Sequence, residues 1–157
     1  MLKKYLIAFL VAMVPLIELR GGMLVATAPA AGYEFLPALL ICILGNMLPV
    51  PIIYFFARKV LIWGADKKII GKFFTFCLEK GEKAGNKLAE KAGRKGLFIA
   101  LLLFVGIPLP GTGAWTGTLG ASFLKVGFKS TVLAVSLGVI LAGLLVGCFG
   151  TAIFSIF

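Results

Sequence analysis

The chain contains no histidine, and only six of its 157 residues are acidic. The first absence removes the commonest metal ligand and the usual general base at neutral pH. The second matters through position. Asp66, Glu79, Glu82 and Glu90 share one polar stretch and Glu34 stands just before the run from Phe35, so Glu18 is left as a lone carboxylate inside an apolar segment. No pair of carboxylates is placed there for acid–base work, and no nucleophile stands beside a base. Cysteine is scarce as well. Cys42, Cys77 and Cys148 are widely spaced, odd in number and without a CxxC pair, so neither a disulfide framework nor a metal site follows. An enzyme is not expected, nor is a cofactor or a metal.

Charge is also sparse, at 14% of residues against 61% hydrophobic, which is far from the balance of a soluble domain. Three runs carry no charge at all: Phe35 to Ala57, Leu97 to Leu124 and Ser130 to Phe157. A bilayer core roughly 30 Å thick takes about 20 apolar residues as helix, so these runs describe an integral membrane protein. The net charge of +10 does not point to nucleic acid, because eleven of the sixteen basic residues lie between Arg58 and Lys95. Such clustering is that of a cytoplasmic loop under the positive-inside rule, with anionic lipid headgroups as its partners. The start, Lys3 and Lys4 followed by YLIAFLVAMVPLI, has the look of a signal peptide, but Glu18 and Arg20 interrupt it before any cleavage site.

The apolar pieces are themselves interrupted. As one helix, Leu97 to Leu124 would be about 42 Å long, well beyond the bilayer core. Its middle reads PLPGTG, where two prolines remove backbone donors and two glycines permit a reversal. Each arm is then about 16 Å, roughly half the core, which is the arithmetic of a hairpin that enters and leaves on one side. Arg94 and Lys95 before it and Lys125 and Lys129 after it put both ends in the cytoplasm. The first piece has the same form, with arms Tyr5 to Ile17 and Gly21 to Tyr33 flanking Glu18-Leu19-Arg20, and Gly21-Gly22 supplying the bend. Lys3 and Lys4 dissent, since an outward-opening first hairpin puts them outside; a spanning first helix is the alternative.

The fold expected is all-α and membrane-integral: two opposed re-entrant helical hairpins, each followed by a transmembrane helix as an inverted repeat, plus a cytoplasmic amphipathic helix. In numbers, residues 1–33 form the first hairpin, 34–57 a transmembrane helix, 58–95 the basic segment, 96–125 the second hairpin and 130–157 a second transmembrane helix. Within the basic segment Ile69, Ile70, Phe73, Phe74 and Cys77 recur at helical spacing. Lys80, Lys83, Lys87, Lys91 and Arg94 make a basic stripe, with Glu79–Lys83 and Glu90–Arg94 as i,i+4 pairs. A helix lying on the cytoplasmic leaflet fits, as does a solvated loop helix.

Glu18 and Arg20 are the sharpest candidates. A charge at membrane depth costs about 2.5–3.5 kcal/mol on insertion scales, so it faces protein or a wet cavity. Burial favours a neutral carboxyl and a nearby guanidinium favours the ion, which suits Glu18 to load and release a proton and Arg20 to be its partner. A purely structural ion pair pinning the hairpin is the alternative. The second tip supplies a broken helix with free N–H groups and a positive dipole end. Pro110, Gly111, Thr112, Gly113, Trp115 and Thr116 are therefore candidates, with Arg20, for holding an anionic group, although Thr112 suits a plain helix cap. Asn46, a midspan amide, contacts either substrate or a neighbouring helix. GTGAWTG is not a phosphate loop, since no strand precedes it and no Lys-Ser/Thr ends it. LPGTG matches a cell-wall sorting signal but lacks the closing basic tail. Gly143 and Gly147 form GxxxG, for packing between chains or within one.

Three motifs in order, PLIELRGG, GNMLPVPIIYFFARKV and PLPGTGAWTGTLGA, resemble the small multidrug export protein family and, more distantly, the DedA superfamily of membrane proteins with paired re-entrant hairpins. Gly45-Asn46 and Tyr54 through Arg58 are similar to that superfamily's GD and YxxGR elements. The resemblance implies a small transporter, ion-coupled, and for DedA-like relatives the movement of lipid-linked phosphates. Glu18 matches the acidic position of the first hairpin. The second hairpin there commonly carries arginines, and here none lies between Leu97 and Leu124, so either Arg20 substitutes or the substrate class differs. The expected function is a proton- or ion-coupled secondary exporter of a small amphipathic molecule or a lipid-linked phosphate, in a prokaryotic inner membrane. A homodimer would bury the hairpins from lipid. A non-transporting membrane scaffold is the alternative.

Overall fold

The computed structural model describes residues 2–15, 17–28, 32–67, 71–109 and 111–156, with the backbone alone at 2, 27, 61, 74, 77–78, 80–82, 84–85, 88–89 and 150–156. Expectations placed on Pro110, Ile69 and Ile70, and on the side chains of Phe74, Cys77 and Lys80, lie outside the described residues. All of the regular structure described is helical: α1 (Leu2–Met13), α2 (Glu18–Thr27), α3 (Phe35–Met47), α4 (Pro49–Ala65), α5 (Gly71–Gly106), α6 (Ala114–Phe123) and α7 (Phe128–Ile156).

Among the described residues two apolar helices are long enough to cross a membrane. α3 and α4 run together over 31 residues, Phe35–Ala65, and α7 provides Phe128–Phe149. At about 1.5 Å per residue both exceed the roughly 30 Å bilayer core. The first continues eight residues past Ala57, where the expected span stops, so Arg58 and Lys59 are helical residues of α4 and not the start of a loop. The joint at Leu48 follows from Pro49 and Pro51, which lack the N–H groups that Gly45 and Met47 would receive in a continuous helix.

The remaining membrane-type segments are bent back on themselves. α1 and α2 pack as one helical hairpin, and the end of α5 packs on α6 as another. The first bend differs from expectation. It lies at Val14, Pro15 and Ile17, and Gly21 and Gly22 are inside α2. Proline in the run VPLIE ends α1, whereas the glycine pair lets α2 approach its neighbours: a Cβ on Gly22 would press on the Ala8 carbonyl, Ala12 and the Cys42 sulfur. In the second hairpin the bend does include residues 107–109 and 111–113, with Gly111 at φ 79°. α5 kinks at Gly93 (φ 66°, ψ 178°), just before Arg94 and Lys95, the last charges ahead of the apolar arm. On the charged half Lys72, Lys83, Lys87 and Lys91 are exposed, as are Phe73 and Phe76.

Packing is inverted relative to a soluble protein. The core joins Ala8, Ala12, Leu19, Met23, Cys42, Val105, Ala114, Val135, Val139 and Ala142. Large side chains such as Leu40, Leu44, Phe56 and Leu133 point outward. Small residues inside and large ones outside are what helix contact in lipid favours. Gly143 and Gly147 of α7 rest against Leu39, Leu19, Phe35 and Met23 of the same chain, so this GxxxG serves internal packing.

Two polar clusters hold the hairpin bases. At the first, Lys4 donates to the Gly32 carbonyl, lies over the Tyr5 and Tyr33 rings, and its own carbonyl accepts from the Tyr33 hydroxyl at 2.8 Å. At the second, the Tyr54 hydroxyl donates to the Val126 carbonyl at 2.6 Å and Ser122 donates to the Tyr54 carbonyl at 3.0 Å. Between these two bases the tips of the hairpins meet.

Candidate functional site

Glu18 opens α2 immediately after the Pro15 bend, in the left-handed region at φ 53°. A residue with a Cβ is strained there, and the surrounding structure must over-determine it. What determines it is the other hairpin. Oε2 of the buried Glu18 carboxylate accepts the Ala114 N–H at 3.0 Å, and Oε1 accepts the Trp115 N–H at 3.1 Å. These are two of the orphan donors at the N-terminus of α6, where a negative charge is also favoured by the helix dipole.

The carboxylate fits only because Gly113 precedes α6. A Cβ on Gly113 would overlap both carboxylate oxygens. The cap expected of Thr112 is thus supplied from a helix 96 residues away in sequence, and no local side chain caps α6.

Arg20 lies two residues further along α2 and turns to the opposite arm. Its guanidinium donates to the Leu109 carbonyl, to the Ile107 carbonyl at 3.2 Å and to the Thr112 hydroxyl at 2.8 Å. The Thr112 hydroxyl in turn stands 2.9 Å from the Leu109 carbonyl and 3.0 Å from that of Ile107. These carbonyls follow the C-terminus of α5, the negative dipole end. Hairpin one therefore presents its anion to the positive end of the break in hairpin two, and its cation to the negative end. Glu18 and Arg20 take their hydrogen bonds from the opposite tip and not from each other, which a helical i,i+2 spacing makes natural.

Two spaces adjoin this junction. A groove of about 620 Å³ is lined by Pro15, Glu18, Pro49, Phe56, Trp115 and Thr116 among others, and Glu18 is its one charged residue among those described. A second space at Glu18, a cavity of about 10 Å³ that shares no other residue with the groove, is lined by Arg20, Asn46, Gly113 and Ala114 together with apolar residues. Asn46 is 2% exposed and its amide oxygen has no hydrogen-bond partner; the buried Trp115 indole nitrogen and Thr118 hydroxyl also lack one among the described residues.

The structure thus brings Glu18, Arg20, Asn46, Gly113, Trp115 and Thr116 to one junction, with Thr112 reached through Arg20. Gly111 serves the turn, exposed and apart from both spaces. Pro15 and Thr118 escape a reading that looks for charged or turn-forming tips. Pro15 carried a visible signal, a proline closing an apolar run three residues before a charge, while Thr118 carries none.

Neither a curated protein nor a solved structure matches the chain. A family profile described as "Putative small multi-drug export protein" matches residues 18–145, from the hairpin-one carboxylate to the middle of α7. That match covers well over half of the chain, which belongs to the small multi-drug export protein family and is a membrane protein with a role in export.

Proposed function

We propose that the protein is a proton-coupled secondary exporter of a prokaryotic inner membrane, built from two re-entrant hairpins that enter from opposite sides as an inverted repeat. The observation that carries this reading is the Glu18 carboxylate capping α6 at the wall of the groove. An ionised carboxylate accepts both N–H groups as charge-assisted bonds. Protonation removes the charge, weakens the cap and the dipole attraction together, and lets the tips part. Loading and release of one proton is thereby linked to two arrangements of the hairpins, as alternating access requires.

The groove favours one of the two expected substrate classes. Its wall is apolar apart from Glu18 and the polar atoms of Trp115 and Thr116. An amphipathic molecule with a positive group fits that wall, with Glu18 as counter-ion and Phe56 and Trp115 as aromatic faces. A lipid-linked phosphate would need a free cation, and Arg20 is engaged by Leu109, Ile107 and Thr112.

Two partner assignments belong to the same proposal. The exposed lysines of α5 face anionic headgroups of the cytoplasmic leaflet. A second copy covers the tip of hairpin two, where Ile107, Leu109 and Gly111 are exposed at a depth that tolerates no lipid-exposed irregular backbone.

The scaffold reading rests on the same junction, since a carboxylate and a guanidinium that tie two halves together also serve as a structural pin. Reconstitution separates them. Wild type and Glu18→Gln in liposomes are given a pH gradient and either a lipophilic cation or a lipid phosphate, and lumenal pH is followed. Cation-dependent proton flux that vanishes in a folded Glu18→Gln protein is expected. An unfolded variant with no wild-type flux moves the weight to the scaffold.

A further inference from the structure

Glu18 is the one described residue that lines both the groove and the small cavity behind it. The two sides differ. The groove is wide and apolar, whereas the cavity is of about the volume one water needs and has Asn46 and Arg20 among its lining residues. Asn46 sits in the last turn of α3, one residue after Gly45, where a Cβ would strike the Phe9 carbonyl. Close approach of α1 thus fixes the Asn46 backbone, and its side chain is 2% exposed with the amide oxygen unpartnered. A buried acceptor left without a donor is costly, and such groups are almost always satisfied by protein or by ordered water.

A cavity of about 10 Å³ meets the lower bound, roughly 10–15 Å³, for one water molecule. A water needs two to four polar partners, and Asn46, Glu18 and Arg20, the polar residues among the lining, can supply them. A metal cation is disfavoured by Arg20 on the same wall. No other charged or titratable side chain lines either space among the described residues.

We propose that this cavity holds one water molecule, bonded to the Asn46 amide oxygen and the Glu18 carboxylate, through which Glu18 exchanges its proton on the side away from the groove. This rests on the proton role of Glu18 and adds its route. The carboxyl O–H bond breaks as a new O–H bond forms on the water, and the excess proton passes to bulk water admitted when the tips part. The cavity water is restored and no electron moves. Asn46 is a positioning residue, because it acts by holding the water. Substrate and proton then reach Glu18 from different sides, so an occupied groove need not block proton exit.

The test is infrared spectroscopy of the full chain in lipid bilayers under acid conditions. The C=O band of protonated Glu18 is identified by its loss in Glu18→Gln, and its isotope shift is timed after a switch from H₂O to D₂O. In Asn46→Leu, which fills the cavity with carbon, exchange is expected to slow roughly tenfold or more. Asn46→Ser keeps an oxygen and room for the water, and is expected to stay near wild type. Exchange in Asn46→Leu as fast as in wild type would overturn the relay while leaving the proton role standing. Absence of any protonated Glu18 band in wild type would remove the proton role and the relay with it. A wild-type crystal structure that resolves ordered water and shows this cavity dry would also overturn the proposal, whether or not the variants fold.

Discussion

At the scale of single residues, Glu18 and Arg20, two charges set among apolar helices, owe their tolerance to helix ends. Desolvated charges need partners, and a broken helix offers unpaired N–H groups on one side of the break and unpaired carbonyls on the other. Glu18 uses the first and Arg20 the second. Gly113 is the residue that makes the fit possible, and this can be measured. In Gly113→Ala the new Cβ displaces the Glu18 carboxylate, and losing charge-assisted bonds should lower stability by about 2–3 kcal/mol in a detergent unfolding experiment. In a Glu18→Ala background the same substitution should cost about 1 kcal/mol less or better. Strict additivity of the two changes would mean that the overlap is not the cause.

At the scale of elements, glycine has two roles that the spacing in sequence does not distinguish. Gly143 lets α7 close on α2 and α3, with Leu39 and Leu19 where a Cβ would be. Gly120 of α6, by contrast, has open space around the equivalent position. Gly143→Leu should therefore destabilise the protein by about 1–3 kcal/mol through overpacking. Gly120→Ala should be neutral, or stabilising by up to about 1 kcal/mol through helix propensity. Thermal melting of the two variants side by side checks the pair, and equal losses would contradict the packing described. The Gly93 kink in α5 is a further element-scale device: it redirects the helix, without a loop, two charges ahead of its apolar arm.

At the scale of the whole molecule, the tips meet between two polar bases, one at Lys4 and Tyr33 and one at Tyr54 and Val126. Placed in a bilayer, this arrangement sets the sidedness of each base. With the three native cysteines replaced, single cysteines at Lys95 and Lys125 should be labelled by an impermeant reagent from one face of oriented vesicles. Cysteines at Lys4 and Glu34 should be labelled from the other face. Labelling of Lys95 and Lys125 from opposite faces would mean that the second hairpin spans, and the re-entrant reading would fail. The same experiment resolves the conflict between Lys3 and Lys4 and the positive-inside rule.

By itself the sequence determined class and punctuation. Long uncharged runs are costly to expose to water, so helices long enough to cross a membrane follow from composition, and the PLPGTG bend follows from missing donors and permissive glycines. Glu18 and Arg20 stood out for the same reason, since a charge in an apolar run is expensive. Local chemistry misled at the first bend, because Gly21-Gly22 reads as a turn when no neighbour is visible, whereas Pro15 stops α1 and the glycines accommodate Cys42 and Ala8. Tertiary structure alone decided what the charges touch. Their partners lie 87 to 97 residues away, and contacts at that separation leave no mark in periodicity or spacing. The pairing of an anion with one end of a broken helix and a cation with the other exists only once the two tips are brought together.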